Sequence, residues 1–240
     1  MTLLSIIIPA HNEERRLSET LPRVLQFLRT QDYASEVLVV ENGSSDRTAA
    51  AVAELARSEP RLQLLCEAQR GKGLAVRRGM LAARGAFRFM CDADLSMPIE
   101  QVVRFLPPQL ADVEVAIGSR EVPGAVVVAP PFTHLRGRVF SNLVKLAVLP
   151  GIEDTQCGFK CFTAAAAEDL FRVQRLDGLS FDVELLFIAR LRGYRIREVP
   201  IDWYFHRETK VRMVRDTLQM LHDVLTLRRN LRAGFYERAA

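Results

Sequence analysis

Two aspartates one residue apart, Asp92 and Asp94, follow the apolar run Phe87-Arg88-Phe89-Met90-Cys91. A strand ending in Asp-x-Asp holds two hard oxygen ligands at the carboxyl edge of a sheet, where open α/β folds place their ligands. Mg2+ or Mn2+ accepts such ligands and keeps coordination positions open for phosphate oxygens. Alone the pair is a weak signal, because Asp-x-Asp occurs by chance and often serves a turn. Its companions decide the case. One apolar run ends in Pro9-Ala10-His11-Asn12-Glu13-Glu14 and another in Glu41-Asn42-Gly43-Ser44. Taken singly each reads as the start of a helix. Side by side with Asp92 and Asp94 they form one crevice suited to a base, a ribose and a diphosphate. Arg70-Gly71-Lys72-Gly73 precedes a further helical pattern. Its glycines permit close backbone approach, and its cations can meet phosphate at a helix N-terminus. It is not a P-loop, because the Gly-x-x-x-x-Gly-Lys-Ser/Thr spacing is absent.

The elements that must position these groups alternate. Leu3–Ile8, Glu36–Val40, Leu62–Cys66, Phe87–Cys91 and Val113–Ile117 read as strands, the first continuous and β-branched as in a strand buried on both faces. Leu17, Leu21, Val24, Leu25 and Leu28 recur at helical spacing. A second helix runs to about Ser58 behind a Ser45 or Asp46 cap, and a third spans Leu74–Ala83. This alternation predicts an α/β fold with a mainly parallel sheet flanked by helices. Val113–Ile117 leads into Gly118-Ser119-Arg120. Glu121–His134, with three prolines, then breaks the pattern and reads as a long functional loop. Phe181–Leu191 is predicted as a helix and Arg195–Trp203 as a strand.

Composition narrows the class. The 240 residues suffice for a full core, and 49% hydrophobic with 26% charged residues excludes a disordered chain. A net charge of +4 is mild; it suits an anionic ligand or membrane surface, and nothing in the sequence calls for nucleic acid. Cys66, Cys91, Cys157 and Cys161 lack the paired spacing of a zinc site and read as thiols of a reducing compartment. The N-terminal apolar stretch is too short for a signal peptide, and no run reaches the ~18–20 apolar residues of a membrane span. The expectation is a cytoplasmic protein, or one peripheral to the cytoplasmic face of a membrane.

Pro9–Glu14, Glu41–Thr48, Arg70–Gly73, Asp92-Ala93-Asp94 and Gly118-Ser119-Arg120 together resemble the nucleotide-sugar half of inverting family-2 glycosyltransferases of the GT-A fold. Asp154-Thr155-Gln156-Cys157-Gly158-Phe159-Lys160 and Phe181-Asp182-Val183-Glu184-Leu185-Leu186 resemble the branch that acts on polyprenyl phosphates, above all the dolichyl-phosphate β-glucosyltransferases, with the dolichyl-phosphate mannose synthases as relatives. The resemblance implies Mg2+ or Mn2+ on Asp92 and Asp94, and a nucleotide-sugar donor, UDP-glucose by preference. The donor would be held by Pro9, Ala10, Asn12, Glu13, Glu41, Asn42, Gly43, Lys72, Asp92 and Ala93. A polyprenyl phosphate acceptor would be met by Arg120, Arg136, Arg138 and Gln156, with Asp94 and Asp154 counted among the catalytic groups beside Asp92, Arg120 and Arg136. Asp154 is a base if the acceptor is a hydroxyl, and orients a cation if it is a phosphate. Asp182 and Glu184 serve either helix capping with salt bridges or the positioning of loops. Glu41-Asn42 departs from the paired aspartates of many members, which leaves the nucleobase open.

The expected organisation is a single GT-A domain over 1–240. Residues 1–120 would form the nucleotide-sugar-binding half, 121–205 the acceptor half and 206–240 a C-terminal amphipathic helix. The segments Leu135–Leu149 and Val211–Arg232 can lie at a membrane interface, apolar side down with arginines toward anionic headgroups, or pack on the core. The rival readings are a GDP-mannose donor, a hydroxyl acceptor, and a nucleotide-sugar-binding module without catalysis. A Rossmann dehydrogenase is disfavoured, because no Gly-x-Gly-x-x-Gly follows the first strand.

Overall fold

The computed structural model describes residues 1–130, 149–205 and 213–237, with side chains for all of these except 213–218, 220 and 221. A seven-stranded sheet has the order β3-β2-β1-β4-β7-β5-β8. The strands are β1 (Leu4–Ala10), β2 (Ser35–Asn42), β3 (Leu62–Glu67), β4 (Phe87–Met90), β5 (Val115–Ser119), β7 (Lys160–Thr163) and β8 (Ile196–Pro200). Six run in one direction. Only β7 opposes its neighbours β4 and β5.

The sheet is apolar on both faces because its strands alternate between two cores. Ile6, Ile8, Val37 and Val39 face one core with Leu17, Leu21, Val24, Leu25 and Leu28 of α1 (Glu14–Arg29). Ile7, Leu38 and Val40 face the other, with Ala75, Val76 and Met80 of α3 (Lys72–Ala82). α2 (Thr48–Ala56) contributes Val52 to the first core. α4 (Ala164–Val173) and α5 (Phe181–Leu191) pack into the second. Beneath the end of β4, Phe89, Phe105 and Phe159 meet edge to face with centroids 4.9–6.2 Å apart. Such ring pairs contribute about 0.5–1.5 kcal/mol each beyond area burial, so the strand that delivers Asp92 ends on a stiff base.

One expectation needs correction, and two elements lie where the sequence analysis assigned none. The antiparallel strand β7 and helix α4 are those elements; β7 has only four residues and both its edges are filled by neighbours. Arg195–Trp203 is not one strand. β8 ends at Pro200, and β9 (Asp202–Tyr204) leaves the sheet to pair in parallel with β6 (Val126–Val128), which the sequence placed in an irregular loop. Among its described side chains, α6 (Met213–Arg232) turns apolar groups both inward and outward. Val224 and Leu227 are buried, whereas Leu225 is 64% exposed. No described helix is long and apolar enough to cross a membrane.

Candidate active site

Parallel strands bring the ends of β1, β2, β3, β4, β5 and β8 to one edge, and the reversed β7 sends its first residue, Lys160, to the same place. Ala10 is in register with Glu41, and Met90 with both Ile7 and Lys160.

On the β1–β3 side, amide, hydroxyl and carboxylate side chains knit the loops together, mostly by accepting backbone N–H groups. Asn12 adopts a positive φ of 53°, which asparagine tolerates better than most residues. Its N–H donates to Ser44 Oγ at 3.0 Å, and its Oδ1 accepts from the Ser45 N–H at 2.8 Å. The Glu13 N–H donates to Thr48 Oγ1 at 2.9 Å, while the Glu13 carboxylate pairs with Arg16 at 3.2 Å. Asp46, rather than Ser45, meets the start of α2, accepting from the Thr48 N–H at 3.0 Å. Glu41 accepts the Ser44 N–H, and Gly43 turns the chain at φ +68°. Asn42 is buried, and its Nδ2 donates to the Gly71 carbonyl at 3.0 Å. An aspartate there would set an acceptor against an acceptor. The departure from paired aspartates therefore has a local cause: the amide at 42 holds the Arg70–Gly73 turn.

That turn is held from behind as well. A Cβ on Gly73 would lie 2.6 Å from Leu176 O and 2.7 Å from Phe181 Cβ. The glycine is needed for the close approach of residues 176–177 and the start of α5. Gln174 Nε2 donates to Gly73 O at 3.0 Å and to Leu176 O at 2.9 Å. Glu184, fully buried, accepts the Arg175 and Leu176 N–H groups and the Tyr236 hydroxyl at 2.6 Å. Burial raises the Glu184 pKa in spite of these donors. Glu184 thus positions a loop, one of its two expected roles.

Asp92 and Asp94 end β4 at the centre of the edge. Lys72, the first residue of α3, places Nζ 2.7 Å from Asp92 Oδ1. A Cβ on Gly158 would come 2.2 Å from Asp92 Oδ2, so glycine at 158 leaves the room this carboxylate occupies. Burial pushes the Asp92 carboxyl up, but Lys72, with Lys160 and Arg120, outweighs it and the net shift is downward. Asp94 Oδ1 accepts the Ser96 N–H at 2.9 Å, and Leu95 between them sits at φ 46°, in the left-handed region. Both aspartates are partly exposed and Ala93 is buried. Two carboxylates on one turn, one of them seated over a glycine, fit a hard divalent cation. Among the described residues no group of three or more His, Cys, Asp or Glu gathers as a full ligand set. Such a pair suits a cation that keeps most positions for phosphate oxygens and water.

On the β5–β8 side the bonds are charged. Arg120 donates to Asp154 from N (3.1 Å), Nε (2.7 Å) and Nη2 (3.0 Å), and the Gln156 N–H adds a contact to Asp154 Oδ1 at 3.3 Å. The guanidinium lies 5.5 Å from the Trp203 ring centroid, in cation–π range. Asp154 is 3% exposed; burial pushes its carboxyl up, and Arg120 overrides that to hold it below the ordinary value. The Asp154 N–H donates to Glu198 Oε1 at 2.9 Å, which ties the turn to β8. Lys160 is fully buried, with Nζ 2.6 Å from Cys157 O and 2.7 Å from Asp182 Oδ1. Burial raises the Asp182 carboxyl. Asp182 therefore takes the salt-bridge role and caps nothing.

The structure thus brings together the marked residues of both sides except Arg136 and Arg138, which lie outside the described residues together with most of Leu135–Leu149. Sequence reasoning missed Lys160 and Trp203 as site residues. Lys160 stood in the quoted motif, and a lysine inside an apolar run was the available signal. Trp203 carried none, because its relation to Arg120 depends on the chain leaving the main sheet after Pro200. Cys91 and Cys157 are buried, and burial pushes the Cys157 thiol up to about 12, so it is not a nucleophile.

The comparisons agree with this architecture. The sequence matches the glycosyl transferase family 2 over residues 5–171. It is 36% identical over 241 residues to the dolichyl-phosphate beta-glucosyltransferase of Drosophila melanogaster, covering 93% of this chain and 74% of that one. Against the Homo sapiens enzyme of the same name it is 32% identical over 241 residues, covering 94% and 74%. Among solved structures, glucosyl-3-phosphoglycerate synthase from Mycobacterium tuberculosis with UDP superposes at a TM-score of 0.67 and 18% identity, over 94% of this chain and 80% of that one. The same synthase with Mn2+ and UDP-glucose gives 0.64 at 17% identity, covering 93% and 79%. The structural likeness speaks for the fold alone; the sequence match over most of the chain speaks for descent. With an Asp-x-Asp turn at the centre of a GT-A sheet edge, this chain belongs to glycosyl transferase family 2.

Proposed function

We propose that this chain is an inverting glucosyltransferase that moves glucose from UDP-glucose onto dolichyl or another polyprenyl phosphate. The observation that carries the acceptor assignment is the state of Asp154. Both its oxygens are taken by Arg120, and its carboxyl is held low. A general base needs a free lone pair and a pKa near the working pH, and Asp154 has neither. A sugar hydroxyl would need such a base. A lipid phosphate would not, because with a second pKa of roughly 6 it is largely dianionic at neutral pH. It needs an oriented cation, and Arg120, fixed by Asp154 and Trp203, supplies one.

On the donor side, Asp92 and Asp94 would hold Mg2+ or Mn2+, which when bound neutralises the departing diphosphate. Lys72 and the N-terminus of α3 would receive the phosphates. Asn12, Glu13, Glu41 and Asn42 order the loops that would flank the ribose and base. Arg120 holds the attacking phosphate oxygen against the anomeric carbon from the face opposite the leaving group, and the configuration inverts. The names of the relatives support glucose and dolichyl phosphate over mannose. The test is transfer of labelled sugar to a short polyprenyl phosphate, with UDP-glucose and GDP-mannose as alternative donors, with Mn2+ and with EDTA. Glucosyl lipid formed only with metal is the expected result. Transfer to a polyprenol lacking phosphate, or from GDP-mannose alone, would overturn the assignment.

Peripheral contact with a membrane belongs to the same proposal. Leu225 and Leu231 are exposed on α6, together with Arg228, Arg229 and Arg232, a composition suited to an anionic interface. Binding to anionic vesicles, lost in Leu225→Glu, is expected; equal binding by the variant would remove this part.

A further inference from the structure

The ion pair between Lys72 and Asp92 sits where the ammonium and a metal held by Asp92 and Asp94 would share one oxygen, Asp92 Oδ1. Lys72 Nζ is 2.7 Å from Asp92 Oδ1, while Oδ2 is packed over Gly158. The lysine is fixed at the first position of α3, behind Gly71, whose carbonyl is held by Asn42. Its backbone therefore cannot drift, and its four-carbon stem sets the range of its ammonium.

We propose that Lys72 is the resident counter-ion of Asp92, competing with a divalent cation for Oδ1 until a nucleoside diphosphate draws the ammonium away. This rests on the donor-site reading above and adds an order of events to it. Two positive charges on one carboxylate oxygen repel each other, so free metal meets a carboxylate pair of which Asp92 is already neutralised. A diphosphate arriving at the N-terminus of α3 offers the ammonium a more highly charged partner within reach of the same stem. Asp92 Oδ1 is then released as the phosphate oxygens arrive that complete a cation's coordination. Metal and nucleotide therefore bind with positive coupling, and by linkage each raises the affinity of the other by the same factor. The site does not load metal on its own.

The test is titration of Mn2+ followed by electron paramagnetic resonance, on the full chain, with neither sugar nor acceptor present. Wild type and Lys72→Arg, which keeps the charge, are expected to bind free Mn2+ weakly. Lys72→Met, checked for folding by thermal melting, is expected to bind it roughly tenfold or more tightly. Adding Asp92→Asn to Lys72→Met is expected to remove that gain. UDP is expected to tighten Mn2+ binding strongly in wild type and much less in Lys72→Met. Equal free-Mn2+ affinity in wild type and Lys72→Met overturns the proposal. If Lys72→Met does not fold, wild type decides: Mn2+ affinity unchanged by UDP overturns the coupling. An error in the sugar or the acceptor would appear as failed transfer and would leave the donor-free Mn2+ comparison untouched.

Discussion

The two sides of the sheet edge are built from different bonds. At the ends of β1 to β3, Asn12, Ser44, Thr48 and Asn42 link loop to loop through neutral amides, hydroxyls and backbone groups, and the carboxylates of Glu14, Glu41 and Asp46 accept backbone N–H groups. At the ends of β5 and β7, buried ion pairs do the work: Arg120 with Asp154, and Lys160 with Asp182. Neutral bonds contribute about 1 kcal/mol each and give a shaped cleft at low cost. Buried charges contribute little net stability, yet removing one partner is expensive, so they fix direction more than they add strength. The difference suits the proposed ligands. A base and ribose ask for shape and neutral donors, whereas a phosphate that attacks asks for a cation held still.

The comparison breaks most sharply at Arg120. Arg120→Ala removes the proposed acceptor cation and leaves the Asp154 carboxylate buried without its ion-pair partner. We expect kcat/KM for the lipid phosphate to fall about a hundredfold or more, with UDP-glucose affinity within about twofold by calorimetry. Equal loss on both substrates would erase the distinction between the sides. Asp154→Asn sharpens it further through pH. The folded Asp154 carboxyl lies below its ordinary 3.8, so its contribution to stability is present above that value and is lost as pH falls through the folded pKa. The variant lacks this contribution, and its melting temperature is expected to fall less steeply below about pH 4. A parallel acid limb in both proteins would contradict the pairing.

Next in size is Asn42→Asp, which places a carboxylate against Gly71 O. Donor affinity is expected to drop about tenfold, with acceptor KM little changed. Unchanged donor binding would mean the Arg70–Gly73 turn does not depend on the amide. The smallest effect is expected from Trp203→Leu. Losing a partly exposed cation–π contact of about 0.5–1 kcal/mol raises acceptor KM roughly two- to fivefold, with donor affinity unmoved. A tenfold fall in kcat at constant KM would assign Trp203 a different role.

Much of the fold was legible because period and composition suffice for buried parallel strands. Ile6-Ile7-Ile8 and Val37-Leu38-Val39-Val40 are apolar at every position, and only a strand with a core on each face needs that. Phe181–Leu191 was readable end to end for a similar reason, being apolar around most of its circumference. β7 was not, because a short strand pinned between two neighbours owes its form to their edges rather than to its own residues. β9 was hidden by the passage from one sheet to the other at Ile201, which no local pattern announces.

For the candidate site, the sequence by itself determined the roster: Asp92 and Asp94 after an apolar run, polar residues at two other strand ends, Lys72 between glycines, and the Asp154–Lys160 string. Residue type and neighbours along the chain carry that much, since a strand end is a local property. What each group faces was decided only by the tertiary structure. The partner of Asn42 is 29 residues away, that of Arg120 is 34, and the room for Asp92 is made by Gly158. Lys160 reaches the edge only because β7 runs backwards. Charges act across a few ångströms of space whatever their separation in the chain, and that is why Asp154 reads as a base or an anchor in the sequence, while its pairing with Arg120 is visible only in the structure.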